Sequence, residues 1–171
     1  MQQMTYLDTA TLRAEINLSF PFVEMPPTGE LLVPEYAASQ YLAEELEQYR
    51  PRQVDGGAIR LVHQELPHLS AKAWRWILPH YLRFCLTPEA EYNRMETEFL
   101  IYNLGPSLRF QSDTNQRLSL LTTSQVLCLI DFLFWCENQE YWKQYCPSDI
   151  SRAIGFLKTV LLTREHDHTG K

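Results

Sequence analysis

The sequence predicts an all-α protein, a compact irregular bundle of about six or seven helices with a proline-kinked central helix. Three observations predict it. Apolar residues recur three and four positions apart in segment after segment, which gathers them on one side of a helix. Capping residues and prolines punctuate those segments where helices start and stop. No stretch of clean period-two alternation reaches strand length.

The elements follow in chain order. "DTATLRAEINLSF" opens on Asp8 or Thr9 as N-cap, aligns Leu12, Ile16 and Phe20, and is closed by Pro21. "PFVEMPPTGELLVP", with four prolines and one glycine in 14 residues, reads as an irregular connection packed through Phe22, Val23, Leu31 and Leu32. "PEYAASQYLAEELEQYRP" is a second helix, with Pro34 and Glu35 at its start and Pro51 at its stop. Its inner stripe is Ala38, Leu42, Leu46 and Tyr49, while Glu44, Glu45 and Glu47 form a solvated face. Asp55-Gly56-Gly57 is a turn signal. Its flanks do not alternate, so a loop followed by a short helix over about 58–66 is preferred to a hairpin, with Ile59, Val62 and Leu66 inward.

"SAKAWRWILPHYLRFCL" poses the sharpest question, because Pro79 lies inside the most aromatic segment. Ser70 is a good N-cap. Trp74, Leu78, Tyr81, Leu82 and Cys85 form one stripe; Trp76, His80, Arg83 and Phe84 form a second. A helix apolar on more than one side belongs in the centre of a domain. Proline there removes the donor to the Arg75 carbonyl and costs up to ~3 kcal/mol. The expectation is a kink, or a break with Pro79 starting a new segment. "PEAEYNRMETEFLIYNLGP" reads as one helix with Met95, Phe99, Leu100 and Tyr102 inward and Gly105-Pro106 as exit; "SLRFQSDTNQR" reads as a loop. Thr122 and Gln125 form a capping box before a second central helix, with Val126, Leu129, Ile130 and Leu133 inside and Phe132, Phe134 and Trp135 widening the stripe. "NQEYWKQYCP" is a short helix or turn. Ser148 caps the last helix, whose inner residues are Ile150, Ile154, Leu157, Val160 and Leu161. The chain of 171 residues fits one helical domain over 1–163 and a frayed tail over 164–171.

Composition narrows the function classes. With 45% hydrophobic residues a substantial core is expected, and no low-complexity tract argues for disorder. A net charge of −6 speaks against a nucleic-acid partner, which needs a basic surface. The longest apolar runs are too short to cross a bilayer, and the N-terminus lacks the basic start and apolar stretch of a signal peptide, so neither a membrane nor export is expected. Cys85, Cys128, Cys136 and Cys146 form no CxxC pair and read as buried reduced thiols in a cytoplasmic protein.

Candidate chemistry is sparse. No histidine pair among His63, His68, His80, His166 and His168 has helical metal-ligand spacing, so no metal is expected. "DGGA" lacks the spacing of a phosphate loop, and no nucleophile motif surrounds any cysteine or serine, so neither a cofactor nor a catalytic residue is assigned. Asp131 lies between Ile130 and Phe132 and needs a partner, for which Arg75 or Arg83 of the other central helix is suited. Arg75, His80 and Asp131 are therefore the candidate ligand-binding residues, at a polar site beside Pro79; the competing reading makes them a structural ion pair.

Several segments together resemble a known family. "LSAKAWRWILPHYL" resembles the motif Leu-x-x-x-Ala-Phe/Trp-Arg-aromatic-x-Leu-Pro-x-Tyr-Leu, "RAEINLSFPFVEMP" resembles its amphipathic N-terminal helix and proline, and "RLSLLTTSQVLCLIDFLFWC" its Leu-Thr-x-x-Gln…Phe-Leu element. The family is a bacterial helical domain of unknown function. This chain departs from it in having Trp74 and Trp76 where Phe and Tyr are expected, and no tryptophan over residues 54–58. The resemblance implies a helical fold and a bacterial source and carries over no catalytic residue. The function expected is that of a non-enzymatic bacterial protein that binds another protein, as an immunity-like or accessory factor. The alternative is an enzyme or small-ligand binder with a polar pocket beside Pro79.

Overall fold

The computed structural model describes residues 7–34 and 39–169. Among them are ten α-helices and no strand: α1 (Thr9–Ser19), α2 (Ser39–Leu46), α3 (Gly56–Val62), α4 (Ala71–Cys85), α5 (Pro88–Asn93), α6 (Met95–Leu104), α7 (Gln111–Arg117), α8 (Thr123–Asn138), α9 (Glu140–Tyr145) and α10 (Pro147–Thr169). Four 3-10 turns join them, at Thr28–Glu30, Glu47–Tyr49, Leu66–His68 and Leu108–Phe110. The fold is all-α, as expected, with more and shorter helices than periodicity alone separates. No described helix is long and apolar enough to cross a membrane.

The long helices make the middle. In α4, ten of 15 residues are buried, including Trp74, Trp76, Ile77, Leu78, Tyr81 and Leu82. Ser70 caps it by accepting from the Ala73 N–H at 3.1 Å. The helix runs unbroken through Pro79, so the expected restart at that residue is not the solution adopted. The energetics explain why the proline is tolerated. Its cost of up to ~3 kcal/mol stands against roughly 1.5–3 kcal/mol for each large side chain this helix buries. Two hydrogen bonds lock the aromatic wall: Trp74 Nε1 donates to the Leu66 carbonyl at 2.9 Å and the Tyr81 hydroxyl to the Glu96 carbonyl at 2.6 Å. In α8 the capping box forms as read, with Thr122 and Gln125 bonded reciprocally. Val126, Leu129, Ile130, Phe132, Leu133 and Trp135 are buried beneath it. Helix α1 packs against both α4 and α8, and α10 against α6 and α8.

Several local expectations give way. Asp55 caps α3 by accepting from the Gly57 and Ala58 N–H groups, so the Asp-Gly-Gly signal starts a helix. The single helix expected over residues 88–104 is two. Arg94 adopts left-handed backbone (φ 63, ψ 2) between α5 and α6. Leu100 is buried as expected and Phe99 packs at the core's edge, but Ile101 and Leu104 are the other buried residues, and Met95 and Tyr102 are exposed. The segment read as a loop after Gly105-Pro106 holds a 3-10 turn and α7. Phe22, expected to pack, is 85% exposed, whereas Leu31 is fully buried. The connection is anchored by Val33 N–H to the His68 carbonyl and Ser70 N–H to the Leu31 carbonyl, both 2.9 Å. Helix α10 starts at Pro147, not after Ser148, with a proline in the first helical position where its missing N–H matters least. It continues to Thr169, through residues assigned by sequence to a tail, and Arg164 ties it down by donating to the Leu121 and Leu118 carbonyls at 2.7 and 3.0 Å. Glu35 and Ala38 lie outside the described residues.

Candidate functional site

The three residues singled out from sequence do not meet around a cleft. Arg75 is exposed on α4 and makes no hydrogen bond or ion pair among the described residues. His80 is half-buried, and burial, helped by the charge of Arg83, pushes its pKa down to about 4, so the ring is neutral near pH 7. Asp131 faces Glu15 of α1 in place of an arginine. Burial and a hydrogen bond with Asp131 push the Glu15 carboxyl up to about 7. The reason is architectural: α1 packs on both central helices, so Arg83 stops at α1, donating to Asn17 Oδ1 at 2.8 Å. All four cysteines are free and buried. Burial pushes the Cys85 and Cys128 thiols up to about 12 and Cys146 up to about 11, which keeps them protonated and unreactive.

The concave chemistry lies elsewhere, where the 3-10 turn Leu66–His68, the end of α6, the Gly105-Pro106 exit, α7 and α10 meet. They enclose a cleft of about 460 Å³ bounded by Tyr102, Asn103, Phe110, Thr114, Arg117 and Arg152. A second cleft of about 520 Å³ lies on the other side of Arg117, between Leu32–Val33, the start of α4 at Ser70–Ala71, and Gln116. The two share Pro67, Asp113 and Arg117. Arg117 is thus the partition of one groove.

Its position is fixed by short-range bonds. Arg117 Nη1 donates to the Pro67 carbonyl at 3.2 Å and Nη2 to Thr114 Oγ1 at 3.0 Å, and Thr114 is itself fully buried. The remaining donor, Nε, is buried without an acceptor. No carboxylate lies within ion-pair distance of this guanidinium among the described residues; burial lowers its pKa, and the charge of Asp113, which lines both clefts with it, only partly offsets that. A half-buried cation with one buried, unused donor is costly unless something anionic completes it. Arg152 differs: its Nε donates to the Gly105 carbonyl at 2.7 Å and its Nη2 to Asp149 Oδ1 at 2.6 Å. The half-exposed Phe110 lines the cleft and gives it an apolar edge.

Sequence reasoning missed this groove because residues 107–117 read as a polar loop. The one cue was the spacing of Thr114 and Arg117, three apart, which is a bonded pair once a helix is assumed. Among the described residues no group of three or more His, Cys, Asp or Glu side chains is arranged to hold a metal ion. No protein-family model matches the chain, and no curated protein or solved structure matches it either.

Proposed function

We propose that the protein is a non-enzymatic, protein-binding module, and that the groove on either side of Arg117 receives an extended segment of its partner bearing a carboxylate beside an apolar side chain. The observation that carries the reading is the buried, unpaired Nε–H of Arg117 in the wall common to both clefts. A carboxylate reaching it would gain a charge-assisted hydrogen bond in a partly dehydrated setting. Phe110 offers contact for an adjacent apolar residue, and two adjoining clefts suit a linear segment better than a compact metabolite. The role fits a cytoplasmic accessory or immunity-like factor of a bacterium.

A displayed random-peptide library panned on the full chain tests it. Selected peptides should share an acidic residue or free C-terminus flanked by a large apolar residue. Arg117→Ala should weaken their binding about tenfold or more, since a hydrogen bond to a charged group contributes about 1.5–3 kcal/mol. Peptides without an acid, or unchanged binding to Arg117→Ala, would overturn the proposal.

A further inference from the structure

A second cavity, of about 190 Å³, lies on another part of the molecule, where α4, α5, α6, α8 and α9 converge. Cys85 and Thr97 are both buried and line it. Trp135 and Trp142, each 5% exposed, line it with Tyr141. Glu91 and Glu140, both exposed, also line it. Into this aromatic wall the chain sends a cation of its own. Arg94, the one non-glycine residue with positive φ among the described residues, places its guanidinium 3.7 Å from the centroid of the Tyr141 ring. Backbone in that region persists only where surrounding contacts over-determine it.

The lining discriminates among ligand classes. Aromatic faces carry negative potential and attract cations, most strongly when water is excluded. Trp135 donates its Nε1–H to Thr9 Oγ1 at 3.2 Å and stacks on Phe132, so its hydrogen-bonding edge is already occupied. Two carboxylates stand against one guanidinium, leaving a single negative charge. Gln144 donates to Glu140, whereas Glu91 makes no hydrogen bond or ion pair among the described residues. An anion would meet that uncompensated carboxylate, and a neutral apolar guest would leave it unmatched. The volume is on the right scale, since an apolar cavity of about 150 Å³ takes up benzene.

We propose that this cavity binds a small organic monocation of the quaternary-ammonium class, held against Trp135 and Trp142 with Glu91 supplying the balancing charge. The site is independent of the Arg117 groove. Titration of the full chain with choline, followed by tryptophan fluorescence and calorimetry, tests it against 3,3-dimethyl-1-butanol, the uncharged isostere. Choline should bind saturably and at least about tenfold tighter than the isostere. Glu91→Gln, at an exposed position that leaves the core intact, should lower choline affinity several-fold, and Trp142→Leu should abolish it. Equal affinity for the isostere, no saturable response to choline or tetramethylammonium, or unchanged choline binding by Glu91→Gln would each overturn the proposal. Should Trp142→Leu not fold, the isostere comparison and Glu91→Gln decide alone.

Discussion

Gly105 ends α6 with φ −119 and ψ 63, so its backbone is not left-handed and no conformational demand requires glycine. What requires it is α10. A Cβ at position 105 would lie 2.9 Å from the Ala153 nitrogen and 3.1 Å from both its Cα and Cβ. Those neighbours are helix backbone and cannot rotate away. Gly105→Ala therefore forces α10 outward and strains the 2.7 Å bond from Arg152 to the Gly105 carbonyl. Overpacking of this kind costs about 1–3 kcal/mol, and loss of a charged hydrogen bond adds a similar amount. The reduced freedom of the unfolded chain returns about 0.4–1 kcal/mol. A net loss of about 3 kcal/mol is expected. In urea, with a slope of about 1–3 kcal/mol/M, the midpoint should fall by about 1.5 M at unchanged slope. Gly155 is the internal control. It lies in α10, and nothing stands within 4 Å of where its Cβ would be, so Gly155→Ala should stabilise by about 0.5–1 kcal/mol. A Gly105→Ala variant within 0.5 kcal/mol of wild type would refute the close-approach argument.

Glu96 is 1% exposed, and among the described residues its only ion pair is with Arg60, whose Nε lies 3.5 Å from Oε1, while its second oxygen has no hydrogen-bond partner there. Arg60→Ala should therefore destabilise by about 2 kcal/mol, discounted because the guanidinium is half-exposed, and adding Glu96→Gln should recover much of the loss in a double-mutant cycle. The Glu15 carboxyl, raised to about 7, favours the protonated folded state: its contribution is fully present below pH 4.5 and is lost as pH rises to 7. Glu15→Gln should thus unfold at higher temperature than wild type at pH 8 and show no such advantage at pH 4.5; the carboxyl is half-buried, so the difference is about 1 kcal/mol after screening. The buried cysteines should react with a thiol reagent only on the timescale of unfolding, and one fast-reacting thiol in the native protein would contradict their burial.

The long elements were legible because long periods average out local ambiguity. Sixteen residues of α8, with a capping box at the front and an apolar stripe behind, admit one reading, and all four residues expected on its inner face are buried. Short elements carry one or two turns and no such average. Arg94 shows the consequence. Nothing in "EYNRMETE" announces a left-handed arginine, yet that one residue divides a helix, and the inner face keeps Leu100 and the edge of Phe99, gains Ile101 and Leu104, and loses Met95 and Tyr102. The glycine at 105 was legible as an exit, but its cause, the proximity of Ala153 some 48 positions later, is a tertiary fact. The candidate site suffered most. Pairing Asp131 with an arginine assumed that the two central helices face each other at that level, whereas α1 intervenes and brings a second carboxyl.

The same division of labour governs where ligands can go. Helices α4, α8 and the inner face of α10 bury most of their apolar residues, α4 against α1 and α3 and α8 against α1 and α10, and a close-packed interior leaves no room for a guest. Short helices cannot cover their neighbours completely, and both concave regions open where they meet: α6 and α7 with a 3-10 turn at the Arg117 groove, and α5 with α9 at the aromatic cavity. Each region then holds a cation whose position is set by the irregularity itself. Arg117 is the last residue of one short helix, and Arg94 stands at the left-handed junction between two. Stability and recognition are in this way carried by different elements, and Gly105 is a point where they touch, since its carbonyl holds Arg152 while its missing side chain admits α10.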